Sequence, residues 1–442
     1  MSSAPQYGSW GRVFVPRQRM LALRDRAGPL PLPEDGSSVL PYGLGRSYGD
    51  SCLNDGQALL GASGLDRLIA FDEQAGVLRC EAGVSLSSII DFALPRGWFL
   101  PVTPGTRHVT VGGAIANDVH GKNHHRDGSF GHHVPRLELL RSDGSRLACG
   151  AESNPDLYRA TIGGLGLSGL ITWAEIRLRP VKGPWVGQRA LRFRSLDEFF
   201  ALCEPLERDH GYVVAWLDCA SRAATRGVFF AGDHADDPGP APRRSTRRVP
   251  LEIPFSLVNG PTLRAFNELY YRLPRGDGAP RRVSYDSFFY PLDGIADWNR
   301  LYGPRGFFQY QCLVPEREAG RGALARVIAA IGTSGEGSFL GVLKRFGTMP
   351  SVGMMSFPKA GYTLALDFPN RGARTLGLLE SLDAIVREVG GRVYAAKDSR
   401  MSAESFRAFY PEWEAFSAFL DPRFSSSFWR RVNGGPAMAL PA

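Results

Sequence analysis

Two glycine-dense segments set the tightest limits on this chain: PYGLGRSYGD at 41–50 and TPGTRHVTVGGAIANDVHGKNHH at 103–125. Glycine reaches positive φ and lacks the Cβ that would hold a ligand away from backbone N–H groups. Gly43, Gly45 and Gly49 fall within seven residues, beside Arg46, whose guanidinium suits phosphate oxygens. The first segment is no Walker loop, since no G-K-[ST] follows. Nor is it a Rossmann fingerprint, because Tyr48 stands where the third glycine belongs. A literal G-x-G-x-x-G occurs at Gly164, Gly166 and Gly169. It leads into LITWAEIRLRP, where Ala174, Ile176 and Leu178 alternate with Glu175, Arg177 and Arg179, the pattern of a strand. A Rossmann loop must open a helix instead. In the second segment Gly105, Gly112 and Gly113 are spaced by Thr103, Thr106 and Thr110, which makes another backbone-rich surface. Two such segments suit one long dinucleotide better than a small anion.

A chain of 442 residues has room for two or three domains. No apolar run reaches the length of a membrane span, and MSSAPQYGSWGRVF has neither a basic start nor a long apolar segment. The expected location is therefore cytoplasmic or peripheral to a membrane, with a periplasmic one left open. The net charge of +8 favours anionic ligands or an anionic membrane surface. No basic platform interleaved with aromatics points to nucleic acid. RRSTRR at 243–248 lies in HADDPGPAPRRSTRRVP and reads as a surface loop, with a phosphate- or membrane-facing flap as the sharper alternative. Six scattered cysteines without a C-x-x-C pair suggest neither zinc nor a disulfide scaffold. His120, His124, His125, His132 and His133 lack ligand spacing and carboxylate partners, so no metal is expected. His124 and His125 read as packing or hydrogen-bonding groups. His120, followed by Gly121 and Lys122, puts a titratable pair on a glycine hinge.

Few helices are expected before residue 180; the clear one is SLSSIIDFAL, capped by Ser85 and ended by Pro95 and Gly97. The texture changes near 183. SLDEFFALCEPLERDHG opens with a capping box of Ser195 and Glu198, YVVAWLDC and GFFQYQCLVP read as strands, and TLGLLESLDAIVREVGG reads as a helix stopped by Gly390 and Gly391.

The motifs PYGLGRSYGD, HGKNHH, GSFGHHV, GGLGLSGLI, FQYQ, DFP and YAAKDSR follow one another in an order that resembles the vanillyl-alcohol oxidase superfamily of flavin oxidoreductases. Within it the chain is similar, from about residue 8 to about 432, to the decaprenylphosphoryl-β-D-ribose 2′-oxidase family. That family supplies the flavin half of the epimerase that makes the arabinose donor for cell-wall arabinan. The resemblance implies an α+β fold: a two-part PCMH-type FAD-binding domain around a substrate domain on an antiparallel sheet flanked by helices. Residues 1–183 would form the first FAD part, 184–391 the substrate domain, and 392–442 a segment returning to the FAD domain.

By the same resemblance FAD is bound non-covalently, since RSYG stands where covalent members carry R-x-G-G-H. Pro41, Tyr42, Gly43, Leu44, Gly45, Arg46, Ser47, Tyr48, Gly49, Asp50 and Ser51 would line its pyrophosphate. Gly105, Thr106, Thr110, Val111, Gly112, Gly113, Ala116 and His120 would face its other side, Ile171 the adenine end and Tyr394 the isoalloxazine. Hydride transfer from a secondary alcohol needs a proton acceptor and a cation near the flavin. Lys397 is the expected cation, with His120 and Lys122 in proton handling and substrate orientation. Gln309 and Gln311, on one face of a strand, would hold ribose hydroxyls. Tyr290 and Lys344 are expected at the sugar-phosphate end. Thr363 and Ala365 replace the family's N-x-C and alter the pocket wall. The implied substrate is a polyprenylphosphoryl-β-D-ribose, and the implied partner is an NAD(P)H-dependent keto-sugar reductase. Another glycosyl phosphate or a natural-product sugar alcohol is the alternative substrate.

Overall fold

The computed structural model describes residues 7–219, 225–240, 246–250, 252, 254–273 and 278–439. The first part of RRSTRR, 243–245, therefore lies outside the described residues.

The fold is α+β and rests on two antiparallel sheets. The strand read from LITWAEIRLRP spans Leu170–Arg177 and is central to a five-stranded sheet, between Val77–Glu81 and Arg136–Leu140. Leu68–Asp72 and Arg146–Gly150 form the edges of that sheet. Its apolar alternates Ala174 and Ile176 are fully buried, as the period of two requires. Gly169, at φ +139, feeds directly into this strand, so the G-x-G-x-x-G opens no helix. A three-stranded parallel sheet, Arg19–Ala22, Ala58–Gly61 and Val39–Tyr42, delivers the first glycine segment.

The larger sheet has eight strands, in the order Arg281–Ser284, Trp185–Phe193, Arg226–His234, Tyr212–Asp218, Val342–Phe346, Gly361–Pro369, Phe307–Pro315 and Arg392–Val393. One face packs on the helices Leu196–Asp209, Glu318–Ser334 and Ala373–Glu388. Phe308, Tyr310, Cys312, Leu343, Leu364 and Leu366 share a core there with Phe199, Leu324 and Leu382. The alternate residues Gln309, Gln311, Val342, Lys344 and Ala365 line a cavity on the other face. Strict alternation thus separates an apolar back from a polar front on the same strands.

Helix ends follow the sequence closely. Ser85 accepts from Ser88 N at 3.0 Å to start Leu86–Ala93, and Gly97 at φ +79 closes the turn that follows. Ser195 likewise accepts from Glu198 N, but the expected reciprocal bond is displaced: the Glu198 carboxylate accepts from Arg194 N at 2.7 Å instead of from the cap residue itself.

Glu175 joins three strands of the five-stranded sheet, accepting from Arg136 at 2.7 and 3.0 Å and from Arg79 at 2.6 Å. The Arg136 bonds lower its pKa, burial opposes them, and Arg79 adds to the lowering, leaving the carboxyl at about 2. A depressed carboxyl stabilises the fold above its ordinary value of 4.5, and the benefit is lost as pH falls toward 2. The arginines are 37% and 55% exposed, so solvent screening limits the network to about 1 kcal/mol. Glu175→Gln should lower the melting temperature near neutrality, with the difference closing as pH falls below 4; an equal difference at all pH values would contradict this role.

Candidate active site

Three glycine segments meet at one cavity of about 620 Å³. Gly43 lies against the second segment so closely that a Cβ there would stand 2.5 Å from Thr110 Oγ1. Gly166, at φ +77, faces Pro41 of the first. The second segment is more ordered than a glycine loop: Thr110 Oγ1 accepts from Gly113 N at 3.1 Å and caps a short helix, Val111–Ala116.

Of the residues expected at the cofactor, Pro41 to Tyr48, Ser51, Gly105, Thr106, Thr110, Gly112, Gly113, Ala116, His120, Ile171 and Tyr394 line this cavity. Gly49, Asp50 and Val111 do not. Val111 points into the apolar core, because it is the first residue of the helix that Thr110 caps. Gly49 is pressed on the lysine-bearing segment: a Cβ would fall 1.7 Å from Asp398 O. Asp50 is buried and accepts two 2.8 Å hydrogen bonds from Arg431.

Lys122, Lys344, Lys397, Gln309, Gln311 and Ala365 also line the cavity. Tyr290 and Thr363 stand one layer back. Tyr290 is buried, its hydroxyl 2.7 Å from that of Thr103, which does line the cavity. Thr363 Oγ1 accepts from Gln311 Nε2 at 2.9 Å.

Burial lowers the pKa of all three lysines. Lys122 is brought to about 7; its ammonium donates to Phe288 O and lies 4.5 Å above the Phe288 ring. Lys344 falls well below its ordinary value through burial and the fields of Lys397 and Lys122. His120 sits among Phe346, Phe357 and Tyr394, and burial, reinforced by Lys344, disfavours its charged form. Gln311 Nε2 donates to His120 Nε2 at 2.9 Å, which places the ring proton on Nδ1. Nδ1 then donates to the Lys344 amine at 3.0 Å, and that amine donates onward to Gly121 O.

Sequence reasoning left Asp367 out. It is fully buried opposite Gln309, whose Nε2 donates to Asp367 Oδ1 at 2.6 Å; Oδ2 has no hydrogen-bond partner among the described residues. Burial raises its pKa, while Gln309 and Lys397 oppose the rise. The signal was present in DFP: two residues beyond Ala365 on a strand means the same face. The four other histidines between 124 and 133 pack or hydrogen-bond within the fold, whereas His108 lines the cavity. His124 packs 4.3 Å from Phe346, His125 pairs with His210 O, and His132 and His133 pair with Pro350 O and Asp127 O. Among the described residues no group of three His, Cys, Asp or Glu is placed to hold a metal.

The cavity fits FAD. Its glycine walls let backbone come close, and Arg46, stacked 4.2 Å from the Trp10 ring, has a buried Nε without a partner among the described residues. Residues 32–150 match the family described as FAD binding domain. With the converging amines, this defines an FAD-dependent oxidoreductase. The chain is 37% identical to the decaprenylphosphoryl-beta-D-ribose oxidase of Mycolicibacterium smegmatis, over 96% of both chains, and it belongs to that family. It is also 34% identical to an uncharacterized protein of Streptomyces coelicolor, over 79% of this chain and all of the relative. A more distant relative is the Delta(24)-sterol reductase of Mus musculus, 32% identical over 32% of this chain and 27% of that protein.

Burial holds Lys397 below its ordinary value, and the Asp367 carboxylate pulls it back up. Removing that carboxylate in Asp367→Asn should let Lys397 lose its proton at lower pH. The alkaline limb of the flavin-reduction rate should then move to lower pH; an unmoved limb would exclude the coupling.

Proposed function

We propose that the protein oxidises the 2′-hydroxyl of a polyprenylphosphoryl-β-D-ribose to the 2-keto sugar, the first half of an epimerisation to the arabinose donor for cell-wall arabinan. A separate NAD(P)H-dependent reductase would complete it. The observation that carries this reading is the convergence of Lys122, Lys344 and Lys397 on the cavity lined by the glycine segments. Lys122 and Lys397, held protonated by an incoming phosphate, favour an anionic sugar phosphate over a neutral sugar. The alignment with an oxidase named for decaprenylphosphoryl-β-D-ribose supports the same substrate class.

In this reading residues 1–183 and 392–442 hold the coenzyme, and 184–391 hold the substrate. Bound FAD supplies the hydride acceptor, held without a covalent link because no histidine occurs in Arg46-Ser47-Tyr48-Gly49. Lys397, next to Asp367, supplies positive charge where the reaction gathers negative charge. Gln309 and Gln311 present their amides from one face and orient sugar hydroxyls. When Gln311 turns its amide to a sugar hydroxyl, His120 Nε2 is freed to take the hydroxyl proton, while Nδ1 passes its own to Lys344, whose suppressed pKa leaves it an unprotonated amine. Lys122 steadies the phosphate end. Ala365 in the wall, in place of the family's thiol, makes a second glycosyl phosphate the alternative substrate.

Anaerobic addition of a polyprenylphosphoryl ribose should bleach the flavin, and free ribose or glucose should not. Bleaching by another prenyl-phosphate sugar alone would select the alternative. Lys397→Ala should keep its yellow colour and reduce flavin about 10²-fold or more slowly; a wild-type rate would remove Lys397 from the chemistry.

A further inference from the structure

Nine large apolar side chains are exposed among the described residues, and five of them fall between 255 and 295: Phe255, Phe266, Leu269, Leu273 and Ile295. Leu269 and Leu273 are 62% and 58% exposed. With Phe266 and Tyr270 they occupy positions i, i+3, i+4 and i+7 of the helix Gly260–Arg272 and its cap, which makes one stripe. The stripe begins at the cavity. Tyr270 lines it, 4.8 Å from the ring of Trp216, which lines it too. Leu263 seats this helix in a small core with Val258 and Trp298. Ile295 and Trp298 also line the cavity, and Ile295 pairs with Arg247 in a two-stranded ladder. The exposed apolar groups are therefore borne by the elements that form the cavity's rim.

Arginines border the same elements. Arg247 and Arg264 are exposed. Arg248 is 72% exposed and pairs with Asp297 at 3.3 Å; Arg272 is 76% exposed and pairs with Glu268 at 2.6 Å. Glu252 and Asp293 lie on the same elements, so the positive character of the rim rests on Arg247 and Arg264, for which no ion pair is found among the described residues.

We propose that this rim docks on the face of an anionic phospholipid bilayer. The Phe266–Leu269–Leu273 stripe enters the acyl boundary, and the arginines meet lipid phosphates. Apolar groups bordered by cations are the composition of an interfacial helix, and a water-facing surface seldom gathers them. No helix among the described residues is long and apolar enough to cross a membrane, so contact is made from the side. The inference rests on the polyprenyl-phosphate reading for its use: docked this way, the cavity opens toward the lipid, and a prenyl chain can stay in the bilayer while its sugar enters. The surface itself carries the choice of partner.

The test is flotation of the FAD-loaded protein with vesicles of phosphatidylcholine, with and without phosphatidylglycerol. Binding should require phosphatidylglycerol and weaken as salt rises. It should fall about tenfold or more in Leu269→Glu/Leu273→Glu and in Arg247→Gln/Arg264→Gln, with FAD content and melting temperature unchanged. Failure of the wild type to float, equal binding to neutral vesicles, or wild-type binding by the arginine variant would overturn the proposal. These vesicles contain no sugar substrate, so the outcome is separate from the bleaching test: either reading can fail while the other stands.

Discussion

Arg431 binds two carboxylates from distant parts of the chain in the interior of the protein. Its Nε and Nη2 donate to Asp50 at 2.8 Å, Nη2 also reaches Asp398 at 2.9 Å, and Nη1 donates to Met401 O. Asp50 ends the first glycine segment and Asp398 follows Lys397, so one guanidinium fastens the first glycine loop to the lysine-bearing loop. All three side chains are less than a tenth exposed. Taking three charges from water is costly, and the fork geometry of a guanidinium offsets this only while both carboxylates are present. Gly49 belongs to the same junction: its missing Cβ lets Asp398 O approach, and Tyr48 N donates to Ala396 O at 3.3 Å. The cavity has its shape because these segments cannot drift apart.

Within that cavity the large sheet acts as a sorting device. Its alternation puts Gln309, Gln311, Lys344, Ala365 and Asp367 on the front, while the back is filled with apolar side chains against three helices. A rigid strand fixes spacing better than a loop, which is why Lys344, His120, Gln311 and Thr363 form a continuous hydrogen-bonded line across three strands and the hinge at Gly121. Burial makes the three amines poor cations, and their mutual field lowers Lys344 further. Asp367 works against this at Lys397 alone. One pocket thereby holds amines of unequal basicity.

Much of this was legible in the sequence, for local reasons. Caps at Ser85 and Ser195, the strand from Leu170, and the shared face of Gln309 and Gln311 follow from hydrogen bonding and period two. The motifs near Arg46, His120 and Lys397 resembled a known family, and most of the residues named from that resemblance line one cavity. Other features were not legible, because they depend on contacts between remote segments. Nothing in YGLGRSYGD says that Gly49 and Asp50 turn away toward Asp398 and Arg431. The threonine before Val111-Gly112-Gly113 looked like a hydroxyl in a loop, yet it caps a helix whose first side chain is buried. Tyr290 and Thr363 reach the cavity only through the neighbours they bond, which no spacing rule reveals. Asp367 was visible as a strand residue, but its electrostatic influence on Lys397 needs the C-terminal segment in place.

The junction at Arg431 can be tested directly by measuring FAD content and thermal stability of Arg431→Met. Leaving Asp50 buried without its cation, and Asp398 with only Arg400 at 4.0 Å, should cost about 3–5 kcal/mol, and the purified variant should lose its flavin as the two loops separate. A variant that stays fully yellow and melts like the wild type would show that the cavity holds together without this clasp.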